Sequence, residues 1–388
     1  MLILIKNADI YAPEPGGTCD ILLGGGKILR MEADIRIPRK YCEVIDARNL
    51  KAVPGFIDGH VHIMGGGGEG GFANRTPDLP LTDAIQGGVT TVVGCLGTDG
   101  YTRNMAGLLA KAKGLEEEGI STFAYSGSYG VPLRTLMPTL EEDLLFIDKI
   151  IGAGEVALSD HRSSQPTFEA FAQLVAMARR GGMLSGKAGI VNVHLGDGPR
   201  GLDFLRRIIA ETELSATQMW PTHINRNPHL FEEGITYAKA GGFVDFTTST
   251  LPSYLEEGEI PCAKALRRML EAGVDPGHIT FTSDGHGSLP DWDRHGRLQD
   301  IQVGRVTSLF PAVRQAVQEE GIPLETALRV ITANPARILK LKAKGRLAPG
   351  MDADLVLLDP HNLEVRTVIA KGRLLMKSGK LMAKGTFQ

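Results

Sequence analysis

Five polar signatures in this 388-residue chain carry metal-ligand chemistry: His60-Val61-His62, Glu155, His194, His223 and Asp284. Imidazole nitrogens and carboxylate oxygens are the usual donors to zinc and similar divalent ions. In His60-Val61-His62 the two-residue period of a strand puts both imidazoles on one face, so the pair can grip one ion. Any one of the other histidines, met alone, is more often a hydrogen-bonded structural residue. As a set, each at or just past the end of a short apolar, β-rich run, they point to a metal site, and their number points to a two-metal hydrolase.

Residues so far apart converge only if the fold brings distant strand ends to one rim. Candidate strands lie at 53–63, 90–97, 122–129, 155–161, 190–196, 218–225, 243–249 and 278–285. Segments between them, such as NMAGLLAKAKGLEEEG, FEAFAQLVAMARRGG and CAKALRRMLEAGV, carry apolar residues at three- and four-residue spacing and end on Gly, as amphipathic helices do. Regular strand–helix alternation of this length predicts a TIM-like (β/α)8 barrel, whose strand ends form the site. The first fifty residues and the tail read instead as short strands between turns. Neither piece buries enough apolar surface alone, so together they predict one small β-sandwich domain, 1–54 plus 348–388, beside a barrel domain at 55–347.

Composition narrows the function. A formal net charge of −3, from 42 basic and 45 acidic residues well interspersed, leaves no footprint for nucleic acid or an anionic membrane. A small-molecule or peptide substrate is the default. Cys19, Cys42, Cys95 and Cys262 have no CxxC spacing, which suggests neither a thiolate zinc site nor a disulfide framework, and fits a reduced setting. With no targeting signal and no apolar run approaching a membrane span, the expected location is cytoplasmic.

The motifs V-P-G-F-I-D-G-H-V-H at 53–62 and G-R-L-A-P-G-M-D-A-D-L-V-L-L at 345–358, with a single His ending each of the fifth and sixth strands and Asp284 ending the eighth, resemble the amidohydrolase superfamily. A narrower set resembles the isoaspartyl dipeptidase family within it: G-G-G-G-E at 65–69, L-G-T-D at 96–99, S-Y-G-V-P at 128–132, S-D-H-R-S at 159–163, P-T-H-I-N-R-N at 221–227 and S-D-G-H-G-S at 283–288. The similarity runs essentially end to end. It implies two zinc ions, one on His60, His62 and Asp284, the other on His194 and His223. The family bridges its metals with a carboxylated lysine, and this chain has Glu155 at that position. Both groups offer two oxygens and one negative charge, but Glu is shorter, so backbone or metals must move inward.

The chemistry expected of such a centre is amide hydrolysis. A water shared by two ions becomes hydroxide near neutral pH, and Asp284 can take its proton and deliver it to the leaving nitrogen. By resemblance, the Tyr129 phenol holds the developing oxyanion. For a β-aspartyl dipeptide, Glu69 on the Gly65–Gly68 loop can pair with the ammonium, and Arg162 and Arg226 can fork carboxylates. Gly67, Thr98 and Ser288 match further family contacts, while His161 and His286 match no ligand position. Other amidohydrolase activities remain open, among them N-acyl-amino-acid deacylation and cyclic-amide hydrolysis, as does a non-catalytic scaffold. The resemblance further suggests a homo-oligomer, with an octamer as one candidate.

Overall fold

The computed structural model describes residues 2–388 apart from Arg294 and Gly296. Its centre is built from parallel strands that alternate with helices along the chain. Strands β1 (Phe56–Val61), β2 (Val89–Gly94), β3 (Ser121–Ser126), β4 (Ile150–Leu158), β5 (Ile190–Leu195) and β6 (Met219–Thr222) form one six-stranded sheet in chain order. Strands β7 (Val244–Thr247) and β8 (Ile279–Thr282) form a separate parallel pair. Every residue of these strands except the half-buried Phe123 is buried, which is why they read as near-continuous apolar and β-branched runs rather than alternating ones.

The expected eight-stranded barrel is therefore seen as a curled six-stranded sheet and a two-stranded pair. The break falls where strands are shortest: β6, β7 and β8 have four residues each, too few for a long ladder. Backbone contacts join the pair to both edges of the sheet, an Ile224 N–H to the Asp245 carbonyl at 3.1 Å and a parallel bridge between Val61 and Gly285.

Helices cover the outside of the sheet. Met105–Glu118 starts at Asn104, whose side chain accepts from the Gly107 N–H, and stops at Gly119. Leu140–Phe146 opens on a capping box between Thr139 and Glu142, and Phe168–Ser185 opens on Thr167. No helix among the described residues is long and apolar enough to cross a membrane.

The two chain ends form a single nine-stranded mixed sheet, in place of the expected sandwich of two. Its N-terminal and C-terminal strands join edge to edge, because Lys51–Pro54 pairs antiparallel with Leu355–Leu358 and so extends one ladder instead of facing a second. Ile3, Ile5, Ile21, Ile28, Leu355 and Leu357 build its apolar core. A hairpin that the sequence reading did not anticipate, β9 (Ser288–Trp292) with β10 (Leu298–Val303), follows β8.

Asp245 braces the short strands. Its buried carboxylate accepts from the hydroxyls of Thr222 on β6 at 2.7 Å and of Thr280 and Thr282 on β8, each at 2.6 Å. Burial, opposed by those three donors, pushes its pKa up to about 6. The folded chain thus holds this proton to a higher pH than the unfolded chain, so stability falls as pH rises from about 4 through 6. Replacing Asp245 with Ala strands three hydroxyls and should lower the unfolding free energy by roughly 3 kcal/mol while flattening that pH-dependent fall. Denaturant titrations across the interval check both, and a loss below about 0.5 kcal/mol would show that the carboxylate braces nothing.

Candidate active site

The sequence-predicted donors meet at the C-terminal ends of the strands. His60 is carried by β1, His62 follows it, His194 is carried by β5, His223 follows β6 and Asp284 lies two residues past β8. Glu155 is not at a strand start, as the sequence suggested, but inside β4, which begins at Ile150. It is 1% exposed. The close approach continues in the backbone: a Cβ on Gly287 would stand 2.5 Å from Asp284 Oδ1 and 2.9 Å from the His62 ring. His223 and Asp284 both adopt the left-handed backbone region, with φ of 63° and 51°, a conformation that costs non-glycine residues of order 1–3 kcal/mol and clusters at functional sites.

Glu155 sits between two groups of donors. Its Oε2 lies 3.2 Å from His60 Nε2 and 3.4 Å from His62 Nε2, and Asp284 Oδ1 lies 3.6 and 3.1 Å from the same two atoms. Donors around a tetrahedral ion with bonds of about 2.0–2.1 Å stand about 3.3 Å apart, so the separations of both carboxylates from His60 and His62 suit donors to a divalent cation. On the other side, Glu155 Oε1 lies 2.7 Å from His194 Nδ1 and 3.7 Å from His223 Nε2. His60 Nε2, Glu155 Oε2, His223 Nε2 and Asp284 Oδ1 are all buried without a hydrogen-bond partner among the described residues. Buried polar atoms rarely stay unsatisfied, and four that converge fit a site for divalent cations.

Three of the four imidazoles are aimed by their other nitrogen, whereas His62 Nδ1 is buried without a partner among the described residues. His60 Nδ1 donates to Asn192 Oδ1 at 3.0 Å, and His223 Nδ1 meets Thr247 Oγ1 at 2.5 Å, which leaves Nε2 for the centre in both. His194 is turned the other way. Its Nε2 meets Asp160 Oδ2 at 2.9 Å, so Nδ1 faces Glu155.

Charge is concentrated accordingly. Burial acts against the ionised form of Glu155, but His60, His194 and His223 outweigh it and hold the carboxyl well below its usual range. Burial likewise opposes protonation of His60 and His62; Cys95 beside both, with Glu155 and, for His62, Asp284, raises them instead. His223 is driven the other way, down to about 3, by burial and by His194. Without a cation the carboxylates are balanced only by protons on neighbouring rings, a role that divalent ions fill directly.

Above these donors lies a cleft of about 760 Å³, within the range of small-molecule sites. Tyr129, Glu69, Gly67, Thr98, Arg162, Arg226 and Ser288 all line it. Burial pushes the Tyr129 phenol far above its ordinary value, so it stays protonated, and its hydroxyl lies 2.9 Å from His194 Nδ1. Glu69 Oε1 accepts from Thr98 at 3.2 Å, Arg162 at 3.1 Å and Ser288 at 3.0 Å, whereas its Oε2 is buried and unpartnered. Arg162, expected to face a substrate carboxylate, is already forked against Asp160 and paired with Glu69. Among the described residues Arg226 has a buried Nε without a hydrogen-bond partner and a 3.7 Å approach to Asp197. Gly67 has φ +83° and stands where a Cβ would meet the Asn74 carbonyl at 2.5 Å, a fold of the loop open only to glycine.

His161 and His286 match no ligand position in the sequence, whereas Asp160 and Cys95 were not foreseen. His161 stays largely exposed at the cleft mouth, edge-on to Trp292, and His286 is held by the Pro77 carbonyl. Asp160 orients His194, and the rule that strand ends carry function could have marked it, two residues past β4. The same rule marks Cys95, the first residue after β2. The expectation that no thiolate metal site exists rested on pair spacing, which is blind to a cysteine brought to histidines by the fold; Cys95 groups with His60, His62 and Glu155 within 4.8 Å. Replacing Asp160 with Ala removes the carboxylate that holds His194 Nε2 and should weaken zinc binding by the metal-free protein about 10- to 100-fold. Metal competition titrations check this, and unchanged affinity would leave Asp160 without an orienting role.

The amidohydrolase family pattern matches residues 52–375. Among solved structures, a β-aspartyl dipeptidase of Fervidobacterium islandicum AW-1, in complex with the dipeptide β-Asp-Leu, is 46% identical and superposes with a TM-score of 0.91 over 98% of both chains. A D-hydantoinase structure at 20% identity and TM-score 0.70, covering 100% of this chain and 97% of its own, shares the fold. A D-phenylhydantoinase of Escherichia coli O1:K1 is 25% identical over 93% of this chain and 86% of its own. With the family pattern spanning the strands and every donor described above, the chain belongs to the amidohydrolase family.

Proposed function

We propose that this chain hydrolyses the β-aspartyl amide bond of dipeptides, using two divalent cations, zinc by resemblance, held on either side of Glu155. His60, His62 and Asp284 hold one and His194 and His223 the other. In this reading the eight parallel strands act as one (β/α)8 ring, 55–347, and the nine-stranded sheet of the terminal segments 1–54 and 348–388 as a separate β domain.

The observation that carries the reading is Glu69. Three donors fix one of its oxygens and none reaches the other, which is buried in the cleft wall. A substrate ammonium completes that arrangement. A β-aspartyl dipeptide carries a free ammonium and a free carboxylate on the residue whose side chain forms the scissile amide, so both charges sit beside the reacting carbon. Arg226, with its unpartnered Nε, can receive a carboxylate, and Arg162, which lines the cleft, holds Glu69 in place. The similarity to the β-aspartyl dipeptidase of Fervidobacterium islandicum supports the same substrate class. A cyclic amide or a neutral acyl group offers Glu69 no cation, which sets aside the activity suggested by the more distant hydantoinases.

When bound, the cations polarise the scissile carbonyl and bring the pKa of a water to about 7. Burial disfavours the Asp284 carboxylate, but His62 and His60 beside it keep it ionised at neutral pH. It accepts the proton from the attacking water as the new C–O bond forms, and returns it to the amide nitrogen as the C–N bond breaks. Tyr129, kept protonated by burial, donates to the carbonyl oxygen as negative charge develops there.

β-Asp-Leu should be cleaved far faster than α-Asp-Leu or N-acetyl-β-Asp-Leu, because neither of the latter presents the same ammonium to Glu69. The Glu69→Gln variant should lose roughly 2–5 kcal/mol of transition-state stabilisation toward β-Asp-Leu and most of its discrimination against the acetylated compound. Steady-state kcat/KM values decide. Equal cleavage of β-Asp-Leu and its N-acetyl derivative by the unmodified chain would overturn the reading in favour of acyl-amino-acid hydrolysis.

A further inference from the structure

The proposed reaction leaves a buried thiol beside its own donors unused. Cys95 is fully buried, is not in a disulfide, and follows β2 directly. Its N–H donates to the Val61 carbonyl at 3.0 Å, which pins it to the residue between His60 and His62. One ligand atom each from Cys95, His60, His62 and Glu155 lie within 4.8 Å of one another. Independently of the cysteine, His60 Nε2 and Glu155 Oε2 are buried with no partner among the described residues.

We propose that Cys95 is a thiolate ligand of the ion held by His60 and His62. The inference rests on the metal-binding part of the proposed function, not on the identity of the substrate. When the ion binds, the Cys95 S–H bond breaks, a metal–sulfur bond forms, and the proton leaves to solvent; no redox change is involved. Sulfur suits the geometry because Glu155 is short for a group that must reach two ions. Bonds of about 2.3 Å to sulfur, against about 2.0–2.1 Å to nitrogen, let the thiolate close the ion's coordination from the β2 side. It also adds one negative charge to those of Glu155 and Asp284, which lowers the net positive charge of the centre. A thiolate in the donor set selects borderline-soft ions such as zinc and cobalt over magnesium and manganese.

The test uses the full chain, stripped with a chelator and reloaded with cobalt(II) or zinc(II). The cobalt protein should show a sulfur-to-cobalt charge-transfer absorption in the near ultraviolet. The X-ray absorption fine structure of the zinc protein should require a sulfur scatterer at about 2.3 Å. Cys95→Ser should abolish both signals and Cys262→Ser should keep them. If Cys95→Ser does not fold, the same spectra of the unmodified chain beside those of Cys262→Ser decide. Cobalt- and zinc-loaded protein with two ions per chain and only nitrogen and oxygen scatterers overturns the proposal, as does a chain that takes up no metal. Sulfur ligation in a protein that leaves β-Asp-Leu intact would sink the substrate reading and keep this one; brisk cleavage by a centre without sulfur would do the reverse.

Discussion

The Glu155 carboxylate, buried at the meeting point of four histidines and Asp284, is the constraint that orders the rest of the site. An isolated carboxylate in such surroundings is very costly to ionise. Here it is held ionised by the rings around it, and its two oxygens face two different sets of donors. The fold meets the requirement by placing the residue inside β4, so that strands on both sides deliver nitrogen atoms toward it. Positive charge has to occupy the space between those groups, either as protons on imidazoles or as metal ions.

That demand propagates outward. Asn192, Thr247 and Asp160 each take the imidazole nitrogen that points away from the centre, so ring orientation is settled before any ion arrives. Asp160 in turn is forked by Arg162, and Arg162 reaches Glu69, so one continuous set of polar contacts runs from His194 to the far wall of the cleft. The carboxylate that would receive substrate and the imidazole that would hold metal are therefore mechanically connected. Deeper in the molecule, Asp245 performs a similar service for the short strands that carry His223 and Asp284.

Much of this was legible in the residues. All eight strand segments occur near their expected positions, because strands buried on both faces write unmistakable apolar runs bounded by turns. His60, His62, His194, His223 and Asp284 converge as a rim of strand ends requires. What the sequence concealed depends on contacts between segments. The early start of β4 was hidden by Gly152 and Gly154, which dilute its apolar pattern although a Cβ at either would strike the neighbouring strand. The short ladders of β6 to β8, which leave the strands in two sheets, follow from the number of paired residues and not from periodicity. Arg162 was read as a free cation because nothing in local sequence shows that Asp160 and Glu69 reach it. Cys95 was passed over because spacing rules search for pairs.

The most direct test is a crystal structure of metal-loaded protein with anomalous scattering recorded at the metal edge. The account predicts two peaks about 3.5–4 Å apart, one on each side of the Glu155 carboxylate. A single peak at full loading, or Glu155 turned away from both, would contradict it.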